Sequence, residues 1–422
     1  MNHCLSLRIT WKVCLACLLV TSTAQAGELA ETYEAMQENG YSFTGNVTQF
    51  GFGVVGGGND SLPDSLLYSG HGDYLLNVDA SKFGLQDGLF FRLRAEHRFG
   101  EQLDPANTGS VMPPTIASHL PAETENLYIT NLVVTQALSE NFALFMGKFD
   151  TLDGDRNDFA HGRGVSQFSN LALVTNPAAI VGSPYSSLGA GFAILHDYEP
   201  LFVFTIMNPT DTTRTSGFDE LFNNGALLTA GLRVPTNFFG KRGHQSFTAL
   251  YSTQYFSELV PDPRATISKS GKPVTVTLTN KQEGTYAFLY NFDQYLYSDR
   301  QGRGFGLFGR VGVGDQSVNP LRLFLSAGIG GHNMLSRSRR NDSFGAGYYY
   351  LDATKDASLL TDIATATSEG LRDGQGLELY YNFNICSFMD LTFDYQLIGS
   401  ASDSSYFEDP TSILGARLNI RL

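Results

Sequence analysis

The sequence has no long apolar run after its first twenty residues, few cysteines, and fewer basic than acidic residues. No later segment approaches the ~18–20 consecutive apolar residues of a membrane-spanning helix, which excludes a helical membrane protein. Three of the four cysteines stand in the first 17 residues, and Cys386 alone follows, so a disulfide framework is excluded. With 28 Lys and Arg against 42 Asp and Glu, the net charge of −14 argues against a nucleic-acid partner.

The first 26 residues have the pattern of a secretory signal peptide. Arg8 and Lys12 precede a short apolar run over residues 13–20, and small and polar residues follow as far as Ala26. We predict cleavage after Ala26, so that residues 1–26 are removed. The segment contains two basic residues and no acidic residue, so its removal changes the net charge from −14 to −16.

The C-terminus, "SILGARLNIRL", alternates between apolar and polar residues. Its apolar side carries Leu414, Ala416, Leu418, Ile420 and Leu422, and its other side carries Gly415, Arg417, Asn419 and Arg421. A period of two predicts a β-strand with one apolar and one polar face. Similar segments, such as "GLELYYNFNI" and "LTFDYQL", recur along the chain between Gly-, Asp- and Ser-rich turns.

Two architectures are compatible with such strands: a soluble all-β protein and a transmembrane β-barrel with lipid outside and water inside. The segments run to about the ~9–11 residues of a tilted membrane strand, longer than the five or six usual in a soluble sandwich. The chain also has 20 tyrosines and 31 phenylalanines, many of them near strand ends, where aromatic girdles lie. With the export segment, these features favour an all-β transmembrane antiparallel barrel.

Several stretches resemble the carbohydrate-selective porin family, the OprB-like outer-membrane porins. They are "MQENGYSFTGNVTQF", "LLNVDASKFGLQDGLFFRLRAEHRFG", "LFMGKFDTLDGDRNDFA", "LTFDYQLIG" and "LGARLNIRL". The resemblance implies about 16 strands, short periplasmic turns, long outer loops and a sugar-conducting pore in a Gram-negative-type outer membrane. It also implies outer-membrane lipid, small sugars and the barrel-assembly machinery as partners, with the chain a monomer or a homotrimer. One departure is Leu422, where such barrels usually end in an aromatic residue.

The start of the exported chain differs from the rest. In "GELAETYEAMQENG" Leu29, Tyr33 and Met36 lie on one helical face, and Asn39-Gly40 is a helix end. We therefore predict a short N-terminal helical segment over residues 27–45 and a barrel domain over residues 46–422. The helix either lines the periplasmic mouth or lies outside the barrel.

The strand "LFFRLRAEHRF" carries the most informative polar face. Arg92, Arg94, Glu96 and Arg98 alternate with apolar residues. Charged side chains at mid-depth cannot face lipid, where each costs ~2–4 kcal/mol, so they must face the lumen. Guanidinium groups can donate paired hydrogen bonds to sugar hydroxyls, and a carboxylate can accept them. The four residues are thus candidate sugar contacts, or else they pair with other charges and stabilise the wall.

The loop "GKFDTLDGDRNDFAHGRGVSQFSN" is the second candidate site. Its charged residues Asp155, Arg156 and Asp158 would reach a solute if the loop folded inward and narrowed the pore. The acidic run resembles a calcium loop, but it lacks the alternate acids and the terminal Glu of an EF-hand. We predict no metal and no cofactor.

The sequence thus predicts a porin for passive diffusion of small sugars. The alternatives are a general porin or one selective for ions or other solutes, and an outer-membrane β-barrel enzyme. No G-x-S-x-G motif has a histidine partner, and the histidines are scattered without ligand spacing, so nothing in the sequence supports an enzyme.

Overall fold

The computed structural model describes residues 33–57, 66–104, 108–121, 126–259, 262–267, 273–278, 280–354, 372–401 and 409–422. The predicted signal peptide, residues 1–26, lies outside these residues. No helix in the described ranges is long and apolar enough to cross a membrane.

Eighteen β-strands make up most of the described chain. They are β1 (Tyr41–Gly56), β2 (Leu67–Asp79), β3 (Leu89–Gly100), β4 (Tyr128–Ser139), β5 (Phe142–Asp150), β6 (Ser186–His196), β7 (Glu199–Met207), β8 (Leu227–Phe238), β9 (Lys241–Ser257), β10 (Asp262–Ile267), β11 (Pro273–Leu278), β12 (Lys281–Ser298), β13 (Gly304–Gly314), β14 (Leu321–His332), β15 (Ser343–Ala353), β16 (Gly374–Cys386), β17 (Met389–Gly399) and β18 (Thr411–Arg421).

Helices are few and short. The α-helices are α1 (residues 33–38) and α2 (Leu171–Val174). The 3₁₀ turns are Ala80–Phe83, Ile116–His119, Thr151–Gly154, Gly162–Gly164, Pro177–Ala179, Phe218–Glu220 and Arg337–Arg339. The predicted N-terminal helix is present as α1, but β1 begins at Tyr41, within the 27–45 segment assigned to the helical part.

Sixteen of the strands form one closed antiparallel barrel, as the sequence predicted. Strand β12 pairs directly with β9. The intervening part of the chain contains the β10–β11 hairpin, which forms a separate two-stranded sheet. Strand β18 closes the barrel on β1, with Ala416 opposite Gly51. Closure leaves no free sheet edge, which a lipid environment requires because backbone groups there have no water to bind.

The predicted alternation of faces is present in the strands. In β16 and β17, Leu379 and Phe393 are exposed on the outer surface, whereas Glu378 and Asp394 are buried inside the barrel. In β18, Leu414 is exposed outside and Arg417 is buried inside. The period of two thus separates a lipid-facing side from a lumen-facing side.

The two ends of the barrel differ in the length of their connections. The end that holds the start of β1 and the end of β18 has two-residue turns at 140–141, 197–198, 239–240 and 387–388. The opposite end carries long connections, such as residues 101–127, 151–185 and 208–226. Bacterial barrels place short turns in the periplasm and long loops outside, which assigns the end with the termini to the periplasm.

Candidate functional site

Residues 151–185, here called the inner loop, leave the wall between β5 and β6 and fold into the barrel. Asparagine and glycine shape the segment locally. The Asn170 side chain accepts a hydrogen bond from the Ala172 N–H and starts α2. Arg163 adopts a φ of +52° between Gly162 at +56° and Gly164 at +75°. Glycine is required at position 164, because its φ is left-handed and an added Cβ would lie 2.7 Å from Ile116.

The inner loop has an apolar contact with the barrel wall. The Phe168 ring lies 5.3 Å from that of Phe308 and 4.9 Å from that of Tyr380, measured between centroids. Phe159 similarly packs 4.6 Å from Tyr295. These side chains are buried in one cluster that joins the loop to β12, β13 and β16. Burial of large aromatic side chains stabilises the loop by a few kcal/mol for each ring.

Arg310 of β13 binds the inner loop at several points. Its Nε donates to Asp155 Oδ2 at 2.7 Å, and its Nη1 and Nη2 donate to the carbonyls of Leu173 and Val174 at 3.0 and 3.1 Å. The Arg310 side chain is fully buried. A buried guanidinium needs both a counter-charge and partners for its five N–H groups, and the loop supplies both.

A second group of buried charges binds the middle of the inner loop. Glu378 accepts hydrogen bonds from the N–H groups of Ser169 at 2.6 Å and Asn170 at 3.0 Å. Arg417 donates to the carbonyls of Gly164 at 3.0 Å and Gln167 at 2.6 Å. These lumen-facing charges of β16 and β18 therefore hold the loop backbone.

Arg94 and Glu96, both predicted as sugar contacts, lie in a third group of buried charges. Arg94 Nη1 lies 2.7 Å from Asp153 Oδ2 and 3.0 Å from Asp150 Oδ2. Glu96 accepts from Arg163 Nη2 at 2.8 Å and from the Tyr185 hydroxyl at 2.6 Å. Glu96 is fully buried and Arg94 is nearly so, and both are engaged in fixing the inner loop against β3.

The other predicted site residues lie at several places along the lumen. Arg92 remains 38% exposed beside Asp153, and Arg156 is exposed on the inner loop. Asp158 is partly exposed near Arg233, whereas Asp155 is bound by Arg310. Arg98 donates to Gln102 at 3.0 Å, close to the outer loop that follows β3. The structure thus brings Arg92, Arg94 and Glu96 to one end of the inner loop and leaves Arg98 apart from it.

Sequence reasoning did not select several residues that the structure places in these groups. Arg163, Asp73 and Asp150 join Arg94 and Glu96 across three strands and the loop. The only sequence feature that could have identified Asp73 is its place on the polar face of β2, opposite Glu96 in the register. The partners of Arg163 are distant along the chain, so no local pattern reveals them.

Ionisation of the inner loop follows from this burial and pairing. Burial opposes the charge of Asp153, but Arg163 and Arg94 outweigh it and hold the pKa of that carboxyl well below its usual range. Burial raises the pKa of Asp158, and the nearby charge of Asp293 raises it further. Burial lowers the pKa of His161 to about 4, although Asp153 lies 3.9 Å from its Nε2.

We expect acidification to weaken the docking of the inner loop, because protonation of His161 favours the undocked loop. Between pH 6.5 and pH 4 an undocked His161 binds a proton that the docked residue does not, so docking loses stability as pH falls. The loss reaches about 3 kcal/mol at pH 4. Single-channel conductance recorded from pH 7 to pH 4.5 should become noisier in the wild-type protein. A His161→Asn variant should show a flatter pH profile, and an identical profile would contradict this role.

Among the described residues, one group of side chains has the spacing of metal ligands. Asp158, His244 and Asp293 each offer a ligand atom within 4.8 Å of the others. His244 Nδ1 lies 2.8 Å from Asp293 Oδ1, and Arg233 Nη2 lies 3.4 Å from Asp293 Oδ2. The guanidinium of Arg233 thus competes for an oxygen that a cation would need.

The geometry describes a barrel whose interior is crossed by the inner loop, which is held by ion pairs and an apolar core. Charged side chains that remain accessible line what is left of the lumen. Such an arrangement suits restricted diffusion of a polar solute through a fixed constriction.

Comparison with known proteins agrees with this description. The model of the carbohydrate-selective porin, OprB family, matches residues 64–422. The high-pH structure of Pseudomonas putida OprB superposes with a TM-score of 0.77 at 18% identity, over 94% of this chain and 97% of that one. The low-pH structure of the same protein gives a TM-score of 0.54 at 14% identity, with the same coverage. No curated protein matches the chain significantly.

At these identities the superposition establishes the shared fold, and the family match extends over most of the chain. Together they indicate a channel rather than an enzyme and a place in a Gram-negative outer membrane. This chain therefore belongs to the carbohydrate-selective porin family and is a sugar-selective porin of the outer membrane.

Proposed function

We propose that sugars diffuse passively past Arg92, along the wall formed by β1 to β4. The observation that carries this proposal is a cavity of about 580 Å³ at the periplasmic end of the lumen. Asn77, Phe90, Arg92 and Thr135 contribute to its lining. Its size lies within the ~300–1,000 Å³ of typical small-molecule clefts.

The lining groups suit a sugar chemically. Phe90 is 43% exposed, so its ring can cover the apolar C–H face of a pyranose. The guanidinium of Arg92 can donate to adjacent hydroxyls, and Asn77 can both donate and accept. Each contact is weak in water, which allows the solute to leave again, as transport requires.

Within this proposal the predicted site residues divide into two roles. Arg92, Arg156 and Asp158 contact the solute, because their side chains remain accessible in the lumen. Arg94, Glu96 and Asp155 position the inner loop, because their charged atoms are held by the loop or by Arg310. Arg98 acts nearer the outer entrance.

Replacement of Arg92 and Phe90 tests the solute path. We expect Arg92→Ala and Phe90→Ala each to weaken the blockage of ion current by sugar about fivefold to tenfold, since a net hydrogen bond or ring contact is worth ~1 kcal/mol. Single-channel recording with sugar added to one side measures this effect. Arg322→Ala is the matched control, because Arg322 is exposed and pairs with Asp352 at the opposite end of the barrel. Unchanged blockage in both variants would move the path away from this cavity.

The remaining alternatives differ in what crosses the pore. A general porin, or one selective for ions or other solutes, would pass amino acids and salts as fast as sugars of equal size in a liposome-swelling assay. We propose no catalytic activity, and hydrolysis of lipid or peptide by the purified protein would contradict this.

We further propose that the barrel-assembly machinery inserts the chain and that it functions as a monomer or a homotrimer. Cross-linking of the purified protein in detergent distinguishes the two oligomeric states.

A further inference from the structure

Two neighbouring periplasmic turns concentrate positive charge on an otherwise acidic protein. The turn of residues 299–303 joins β12 to β13, and the turn of residues 333–342 joins β14 to β15. Together they contain two aspartates, Asp299 and Asp342, and five arginines, here called the arginine patch. The arginines of the patch are Arg300, Arg303, Arg337, Arg339 and Arg340.

The two aspartates hold the shape of the turns. Asp299 Oδ2 accepts from Arg303 Nε at 3.1 Å and Nη2 at 3.0 Å, a paired contact within the first turn. Arg303 Nη1 also donates to Asn341 Oδ1 at 3.2 Å and so links the first turn to the second. Asp342 Oδ2 accepts from Arg339 Nε at 2.9 Å. The framework is therefore fixed before any ligand arrives.

The other three arginines, Arg300, Arg337 and Arg340, have N–H groups available to bind a ligand. The side chains of Arg300 and Arg337 form no hydrogen bond or ion pair with another described residue, and Arg340 lies 3.9 Å from Asp299. A pocket of about 640 Å³ opens between the turns. It is lined by Gln301, Arg303, Arg337, Ser338, Arg340 and Asn341. Three guanidinium groups around one pocket, with no carboxylate in the lining, form a site for an anion.

The contacts of the second turn place the patch at the membrane surface. The guanidinium of Arg339 lies 5.4 Å from the ring centroid of Phe383. Asn333 donates to the Tyr381 hydroxyl at 2.7 Å. Tyr381 and Phe383 alternate in β16 with the buried, lumen-facing Tyr380 and Asn382, so they face lipid. The turn therefore covers the outer face of the barrel at its periplasmic edge.

Leu335 places an exposed apolar side chain at the same position. Its side chain is fully exposed at the tip of the second turn, two residues before Arg337. A large apolar side chain beside basic groups is typical of a segment that meets the acyl chains and the headgroups of a bilayer together.

We propose that the arginine patch binds the phosphate group of an anionic phospholipid in the periplasmic leaflet. Arginine pairs with phosphate oxygens through two parallel hydrogen bonds, and basic residues near an anionic leaflet each contribute to binding. Leu335 contacts the acyl region of the same lipid. The site shares no residue with the sugar path, so it does not depend on the proposed solute contacts.

A tryptophan reporter tests the proposal in the full chain. The one tryptophan of the sequence, Trp11, lies in the predicted signal peptide, so Leu335→Trp, with Trp11→Phe added where that segment is retained, places a single fluorophore at the patch. The protein is reconstituted in phosphatidylcholine vesicles that contain brominated phosphatidylglycerol or brominated phosphatidylcholine. We expect quenching to show preferential binding of phosphatidylglycerol. Arg337→Gln and Arg340→Gln together should reduce that preference about 30-fold, since each arginine is worth ~1 kcal/mol at an anionic surface.

Tyr198→Trp in the same background is the matched control, because Tyr198 is an exposed aromatic in a periplasmic turn flanked by Asp197 and Glu199. It should show no preference. Equal quenching by both lipids at the Leu335→Trp reporter would overturn the proposal, as would a preference that survives the double Gln substitution. A response to inorganic phosphate without any lipid preference would show a free-phosphate site and overturn the lipid assignment. Unchanged ion conductance confirms that each variant is folded.

Discussion

Replacing Arg310 with methionine is expected to release the inner loop from β13, raise the single-channel conductance and abolish blockage by sugar. The substitution leaves the Asp155 carboxylate without its 2.7 Å partner inside the barrel. It also removes donors from the carbonyls of Leu173 and Val174. Breaking a buried ion pair by removing one partner costs ~3–5 kcal/mol. This cost exceeds the stabilisation that one packed aromatic ring of the inner loop contributes.

Two comparisons separate the charge from the packing. Arg322→Met removes an exposed arginine of the neighbouring strand β14 and should leave conductance unchanged. Adding Asp155→Asn to Arg310→Met removes the unpaired charge and should restore part of the sugar blockage. Wild-type conductance and blockage in the Arg310→Met channel would show that the apolar cluster alone holds the loop.

Deletion of residues 418–422 is expected to prevent membrane insertion altogether. In β18 these residues pair with β1, from Gln49 opposite Leu418 to Asn46 opposite Arg421. They also pair with the first residues of β17, and the Leu422 N–H donates to the Gly45 carbonyl at 2.8 Å. Without them two strands expose unpaired backbone groups to lipid, each at a cost of several kcal/mol.

Heat-dependent migration in a denaturing gel measures this outcome, since a closed barrel migrates differently before and after boiling. The truncated chain should migrate as unfolded and be degraded by added protease. Leu422→Phe is the matched control, because Leu422 is exposed and the substitution keeps every backbone pair of β18. A truncated chain that inserts and resists protease would show that closure tolerates a shortened β18.

The packing of the inner loop against the wall decides which lumen charges are accessible. Arg94 and Glu96 lie on the polar face of β3, as alternation predicted, yet Asp153 and Arg163 of the inner loop neutralise them within 3 Å. Arg92, two residues away on the same face, stays accessible. Alternation predicts which side of the sheet a side chain faces. It does not predict which residues of a distant loop pack against that side.

The sequence by itself predicted the all-β barrel, the lipid-facing side of strands such as β16, β17 and β18, and a loop whose charges would reach a solute if it folded inward. These follow from local properties: a period of two is a consequence of strand geometry, and charges such as Arg417 cannot face lipid. The tertiary structure alone decided which charges hold the loop and which remain open to a solute. Arg310 and Asp155 are 155 residues apart, and their 2.7 Å contact depends on how the closed barrel and its loop pack, because burial and pairing are properties of the whole fold.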